Sequence, residues 1–301
     1  MIVSKNAVKK FDGSVAIDNL SCTIPDGCIY GLVGSNGAGK STFLRMIAGV
    51  YRADAGSVTL DDMPIWENPV AKSQIAYIPD DVFYLPNSTM KRMASLYNAV
   101  YPNFDYDTFN YLTKELNLNT QKNLNSFSKG MRRQAATVLG LSAKTKYIYF
   151  DETFDGLDPV MRNLVKKLIY NDVAERKATA IITSHSLREL EDICDQLALL
   201  HKGGLVVESD LNNLKTKQFK IQIAFAEEYD KSKFESINIV SFHKTGCVTN
   251  MIVKGDHEET IAKLSSMNPL ILEVLPLSLE EIFTYEMEAL GYTFDGIVKE
   301  V

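Results

Sequence analysis

Four short, mostly apolar runs frame this chain: Ile29-Tyr30-Gly31-Leu32-Val33, Ile75-Ala76-Tyr77-Ile78-Pro79, Lys146-Tyr147-Ile148-Tyr149-Phe150 and Ala178-Thr179-Ala180-Ile181-Ile182-Thr183. Each is too short for a helix, and each gives way abruptly to glycines or polar residues. That pattern predicts strands buried on both faces, as in a parallel sheet. Helical spacing follows the first run over 41–49 and the fourth from near Leu187, where Leu187, Leu190, Ile193 and Cys194 share one face suited to the core. Strands alternating with helices point to an α/β fold.

Between these runs the pattern changes. Over 3–85 strand-like stretches are punctuated by Asp12-Gly13, Pro25-Asp26-Gly27 and Ala55-Gly56, as expected of a sheet around the first run. In 86–135, Asn87-Ser88 can cap a helix to about 100, Pro102 interrupts, and Asp105 can start another through 116, which predicts a helical insertion. Alternation resumes over 136–208. Beyond about 211 a strand (218–226), a short helix (231–236), a hairpin (237–243 and 247–254), a helix (258–267) and a strand (270–275) follow in the order of a small split βαββαβ, ferredoxin-like domain. Ser278-Leu279-Glu280-Glu281 has the form of a capping box opening a last helix through about 290. Two domains are expected: 1–210, with a helical subdomain at about 86–135, and an accessory α+β domain over 211–301.

Composition narrows the class. With 301 residues, 46% of them hydrophobic and 23% charged, the chain can bury a core without staples. Cys22, Cys28, Cys194 and Cys247 form no C-x-x-C pair, so reduced thiols are the expectation. Neither a basic-then-apolar leader nor an apolar run near the roughly 20 residues that cross a bilayer stands in the sequence. The expectation is a cytoplasmic protein that meets a membrane through a partner. The net charge is −6 and bases are scattered among acids, so no direct nucleic-acid binding is expected.

The candidate chemistry sits where apolar runs end. Gly34-Ser35-Asn36-Gly37-Ala38-Gly39-Lys40-Ser41 lies between the first strand and its helix, the context that makes G-x-x-x-x-G-K-[ST] a phosphate-binding loop. Its backbone N–H groups can turn toward phosphate oxygens at a helix N-terminus. Lys40 is expected to reach the β and γ phosphates, Ser41 to ligate Mg²⁺, and Thr42 to lie near the α phosphate. Asp151 and Glu152 end the third run. Asp151 is expected to hold Mg²⁺ through its water shell and Glu152 to orient the attacking water as general base. His185 ends the fourth run and can report on the γ phosphate.

These residues, in this order, resemble the ATP-binding subunit of ATP-binding cassette (ABC) transporters over about residues 3–210. The resemblance implies a P-loop NTPase core, with a parallel sheet, an antiparallel β subdomain and a helical subdomain, and a small C-terminal α/β domain beside it. It implies that Phe11 stacks on adenine, that Phe127-Ser128-Lys129-Gly130-Met131 is the signature segment, and that Phe154-Asp155-Gly156-Leu157-Asp158 is the D-loop. In the family two subunits close head to tail, so Ser128, Gly130 and Asp158 would meet the nucleotide of a partner, either a second copy or a sister ATPase. Read alone, Ser126-Phe127-Ser128 is a helix N-cap. Two departures stand out. Lys129 and Met131 replace a glycine and a glutamine of the signature, and Lys129 either favours closure or sits in solvent. Asp80 stands where the family has a glutamine that contacts Mg²⁺; a carboxylate can serve that ion, or its charge can slow hydrolysis.

The resemblance therefore implies an ATPase that binds ATP and Mg²⁺ and powers a separate integral membrane permease from the cytoplasmic face. The style of the signature, the D-loop and the Ser-Leu-Glu-Glu-Ile-Phe segment is similar to bacterial exporters of peptides, drugs and lipids. The alternatives are a soluble cassette ATPase acting on ribosomes or nucleic acid, and an ATP-dependent switch with little turnover. Zinc spacing, a second phosphate loop and sustained heptads, which mark many of the soluble relatives, are missing from the sequence.

Overall fold

The computed structural model describes residues 1–210, 218–275, 277–282 and 284. The chain divides into two compact units, Met1–Glu208 and Ser209–Val301.

The first unit opens with strands β1 (Ile2–Phe11), β2 (Ser14–Ile24) and β3 (Ile29–Val33), then helix α1 (Lys40–Ile47), β4 (Ala55–Leu60), β5 (Met63–Pro64), the short α2 (Pro69–Lys72) and β6 (Ile75–Ile78). Helices α3 (Met90–Val100), α4 (Tyr106–Glu115) and α5 (Lys129–Ser142) follow. The unit closes with β7 (Tyr147–Phe150), α6 (Pro159–Arg176), β8 (Thr179–Ser184), α7 (Leu187–Glu191), β9 (Gln196–His201) and β10 (Gly204–Asp210), whose last two residues already count to the second unit. A four-stranded sheet has the order β2-β1-β4-β5, and a six-stranded sheet has the order β10-β9-β3-β8-β7-β6. In the larger sheet β9, β3, β8, β7 and β6 pair in parallel. Every residue of β3, β7 and β8 is buried, which is why their sequences read as unbroken apolar runs instead of alternating ones.

Parallel pairing sends the C-terminal ends of β3, β6, β7 and β8 to one edge, so the residues following each strand meet there. A shared core holds that edge in place. Phe43, Leu44 and Ile47 of α1 pack with Tyr147, Tyr149 and Ile181 of the large sheet and with Ile2, Ile17 and Leu20 of the small one. Truncating a buried phenylalanine such as Phe43 to alanine costs about 3–5 kcal/mol.

The helical segment begins one or two residues later than its sequence suggests. Thr89, not Asn87 or Ser88, caps α3, accepting from Arg92 N at 3.3 Å, while Asn87 turns through a left-handed φ of 59°. Asp105 caps α4, and Ser128 caps α5. Helix α5 anchors the segment to the large sheet: Gly140 lies so close to β6 that a Cβ there would stand 2.6 Å from Ile78 Cδ1.

The second unit contains β11 (Gln218–Ala224), a 3₁₀ turn (Lys231–Phe234), β12 (Ile239–Thr245), β13 (Val248–Lys254), α8 (His257–Ser265) and β14 (Ile271–Leu275). Its sheet has the order β12-β13-β11-β14, with every pairing antiparallel. Period-two alternation puts Phe219, Ile221 and Ile223 on one face, where they pack with Phe234, Met251, Val253 and Leu264. Gly246, at φ 62°, turns the β12–β13 hairpin. Ser278 and Glu281 form a reciprocal capping box, with Glu281 N donating to Ser278 Oγ at 3.2 Å and Ser278 N to Glu281 Oε2 at 3.1 Å. Most of the last helix expected after it lies outside the described residues.

Candidate nucleotide site

The loop between β3 and α1 is built around two glycines that no larger residue can replace. A Cβ on Gly34 would stand 2.4 Å from the Leu200 carbonyl oxygen of β9. Gly39 caps α1 with φ 102°, and a Cβ there would meet the Ala16 carbonyl oxygen at 2.7 Å. These turns start α1 at Lys40, one residue before the sequence-based expectation. They also leave the N–H groups of the helix's first turn facing a cavity, an anion-binding arrangement.

That cavity has a volume of about 470 Å³ and is lined by Ala16, 36–42, Asp80, Glu152, Asp155 and His185. Lys40 is buried, its ammonium donating to the carbonyls of Gly34 at 2.7 Å and Ser35 at 3.2 Å and pairing with Glu152 Oε1 at 3.3 Å. Glu152 Oε2 lies 3.0 Å from His185 Nδ1, within hydrogen-bonding distance for the tautomer protonated there. Three residues read separately from the sequence thus form one chain of contacts, Lys40 to Glu152 to His185. Glu152 holds a left-handed φ of 47°, a conformation costing a non-glycine residue about 1–3 kcal/mol. Strain of this kind persists where surrounding bonds impose it, and here Glu152 N donates to Thr183 Oγ1 at 2.9 Å.

Asp151 is fully buried and triply bonded. Ser41 Oγ and Thr183 Oγ1 each donate to its Oδ1 at 2.8 Å, and Tyr77 OH donates to its Oδ2 at 3.0 Å. Burial, then the adjacent Asp151 carboxylate, pushes the Tyr77 phenol above its ordinary range, so it remains a donor. The sequence reading missed Tyr77 and Thr183. Their signal was a hydroxyl inside an otherwise apolar strand run, next to the end that carries the site.

The donor set suits Mg²⁺, a hard cation that takes oxygen ligands. Ser41 Oγ and Asp151 Oδ1 are such oxygens and already touch. Among the described residues no three His, Cys, Asp or Glu gather as a metal cage, so an ion held by Ser41 and Asp151 would complete its shell from phosphate oxygens and water.

Other sequence candidates lie elsewhere. Ser128 is exposed at the start of α5, its Oγ accepting from Met131 N at 3.2 Å, and a Cβ on Gly130 would stand 3.1 Å from the Gly156 carbonyl oxygen. Asp158 caps α6, accepting from Val160 N and Met161 N at 3.0 Å each. Phe11 projects at the end of β1, its ring edge-on to Tyr51 with centroids 5.2 Å apart. None of these four lines the cavity. Asp80 does line it, but its carboxylate is bound by the Arg133 guanidinium, a residue the sequence reading passed over.

Comparison with known proteins agrees with this geometry. Residues 17–155 match the family model described as ABC transporter. The chain is 32% identical over 283 residues to the ABC transporter ATP-binding protein YtrB of Bacillus subtilis, covering 94% of this chain and 97% of YtrB. It is 26% identical over 243 residues to the lipopolysaccharide export system ATP-binding protein LptB of Escherichia coli, covering 76% of this chain and 98% of LptB. In fold it is similar to the dimeric ATP-binding cassette MJ0796 solved with ADP and Pi, at a TM-score of 0.64 and 18% identity over 70% of this chain and 99% of that one. With the loop 34–41 and a strained Glu152 lining one cavity and a buried Asp151 bonded to Ser41 at its wall, the chain belongs to the ATP-binding, ATP-hydrolysing subunits of ABC transporters.

Proposed function

We propose that this subunit binds MgATP in the cavity at the edge of the large sheet, pairs with a second ATPase subunit, and drives a separate integral membrane permease that exports a lipid, peptide or drug. The convergence of Lys40, Ser41, Asp151, Glu152 and His185 carries this reading. In it the loop 34–41 and Thr42 hold the phosphates, Lys40 exchanges its carbonyl partners for the β and γ phosphates, and Ser41 and Asp151 hold Mg²⁺. Bound Mg²⁺ supplies neutralisation of phosphate charge. Glu152 orients and polarises the attacking water, and His185 holds Glu152 and senses the γ phosphate. Phe11 stacks on adenine. Ser128, Gly130 and Asp158, with their polar groups at exposed helix starts, face the nucleotide of the partner subunit.

Export is supported by the likeness to LptB, whose name places it in a lipopolysaccharide export system. Among the described residues no helix is long and apolar enough to cross a membrane, so in this reading the pathway belongs to another chain and this one works at the cytoplasmic face. The second unit is an accessory domain. Affinity purification of the tagged chain from its native cells in mild detergent, followed by mass spectrometry, tests the proposal. A multi-spanning membrane protein in near-equal amount is expected; ribosomes or nucleic acid in its place would overturn it.

A further inference from the structure

Four charged residues form a neutral cluster behind the catalytic carboxylate, two from one face of α5 and two from the loops after β6 and β7. Lys129 and Arg133, one helical turn apart, supply the cations. Asp80 and Asp155 supply the anions. Lys129 Nζ lies 2.9 Å from Asp155 Oδ2, and Arg133 Nη2 lies 3.4 Å from the same oxygen. Arg133 also binds the Asp80 carboxylate and donates through Nη1 to the main-chain carbonyls of Glu152 and Asp155.

Arg133 is the unusual member. Its side chain is 3% exposed, while the carboxylate it binds at Asp80 is 50% exposed. Burying a guanidinium is expensive, and such pairs seldom add net stability. The group is not even fully satisfied, since Arg133 Nε is buried with no hydrogen-bond partner among the described residues. An incompletely paired buried cation calls for a reason other than stability. Its partners supply one: through a single rigid fork it grips the carbonyl of Glu152, at the residue held in left-handed backbone, together with the Asp80 carboxylate at the cavity wall.

We propose that Arg133 is a positioning residue for ATP hydrolysis, fixing the Glu152 main chain and drawing the Asp80 carboxylate out of metal contact, so that Asp80 acts as the counter-ion of Arg133. Holding Asp80 to the guanidinium offsets the charge that an acid would otherwise bring toward the γ phosphate. Arg133 thus ties α5 to the loop after β7, and the exposed Lys129–Asp155 pair adds a weak second tie at the start of the helix.

This inference rests on Glu152 as the residue that orients water, so Glu152→Gln is measured beside it in the full chain. Arg133→Met is expected to lower kcat by about 10²-fold, the usual cost of a small misplacement, while the Kd for a fluorescent ATP analogue changes less than about threefold. Adding Asp80→Asn to Arg133→Met is expected to return about tenfold of kcat, because the uncompensated carboxylate is removed. Asp80→Asn alone is expected to leave the Mg²⁺ concentration for half-maximal turnover within about twofold of wild type, as an acid outside the metal shell requires. If Arg133→Met does not fold, Arg133→Lys replaces it; a point charge cannot span the two carbonyls and the carboxylate, so kcat is again expected to fall with Kd kept. Wild-type kcat in the Arg133 variant, or a tenfold or larger rise in Mg²⁺ requirement for Asp80→Asn, overturns the inference. Should Glu152→Gln itself turn over normally, the assignment of Glu152 fails instead.

Discussion

In the proposed reading the cavity and the exposed start of α5 both carry residues of one nucleotide site, yet they are built in opposite ways. In the cavity, functional side chains bond one another: Ser41 to Asp151, Lys40 to Glu152, Glu152 to His185. Among the described residues the Ser128 side chain bonds only an N–H of its own helix α5, and the Asp158 side chain only N–H groups of α6. The first region is a set of side-chain contacts already assembled within one chain. In the proposed reading the second presents the N–H groups of a helix start to a nucleotide that a second subunit brings.

The contrast sets an order of expected effects. Glu152→Gln keeps the size of the side chain and removes the base, so turnover should fall by about 10²- to 10⁴-fold with ATP still bound. Equal turnover in wild type and variant would mean the cavity is not the catalytic centre. Next comes Ser128→Arg, which should cost about 10²-fold in kcat through loss of positioning while leaving nucleotide Kd unchanged. A parallel loss of Kd would place Ser128 in its own chain's site and erase the contrast. Lys40→Ala should weaken ATP binding by about 10- to 100-fold, the worth of charge-assisted bonds of roughly 1.5–3 kcal/mol, as read by titration calorimetry. Phe11→Ala should raise the Kd about 3- to 10-fold by loss of ring stacking.

The smallest effect concerns the tie between the two regions. Chiefly the Lys129 ammonium holds the Asp155 carboxyl below the usual range. A carboxylate lowered in the folded state adds stability above its unfolded value near about 3.9, and that contribution disappears as pH falls through the lower folded value. Lys129 and Asp155 are 68% and 44% exposed, so the pair is worth only about a few tenths of a kcal/mol. Urea unfolding of Lys129→Ala should accordingly differ from wild type slightly at about pH 6 and not at about pH 2.

Much of the cavity could be read from the chain because polar residues ending apolar runs are local in sequence. Strand ends carry Gly34 to Ser41, Asp151, Glu152 and His185, and parallel pairing brings those ends to one edge. What escaped reading was set by contacts between distant segments. Arg133 lies within a helix, beside the equally basic Arg132, and only the docking of α5 beneath the loops after β6 and β7 distinguishes them. Asp80 has the chemistry of a metal ligand, and nothing nearby in sequence announces the cation that binds it. Helix starts shifted by a residue or two for local reasons: Gly39 in left-handed backbone opens α1 at Lys40, and Thr89 takes the cap that Asn87 cannot provide from φ 59°.

The most direct measurement of the two-region contrast is ATP hydrolysis by a mixture of the Glu152→Gln and Ser128→Arg proteins, each expected to turn over at about a hundredth of the wild-type rate or less alone. If the cavity of one chain is completed by the α5 start of another, mixed pairs contain one intact site and activity returns. A mixture as inactive as either variant, with wild type active under the same conditions, would show that both regions serve the same chain.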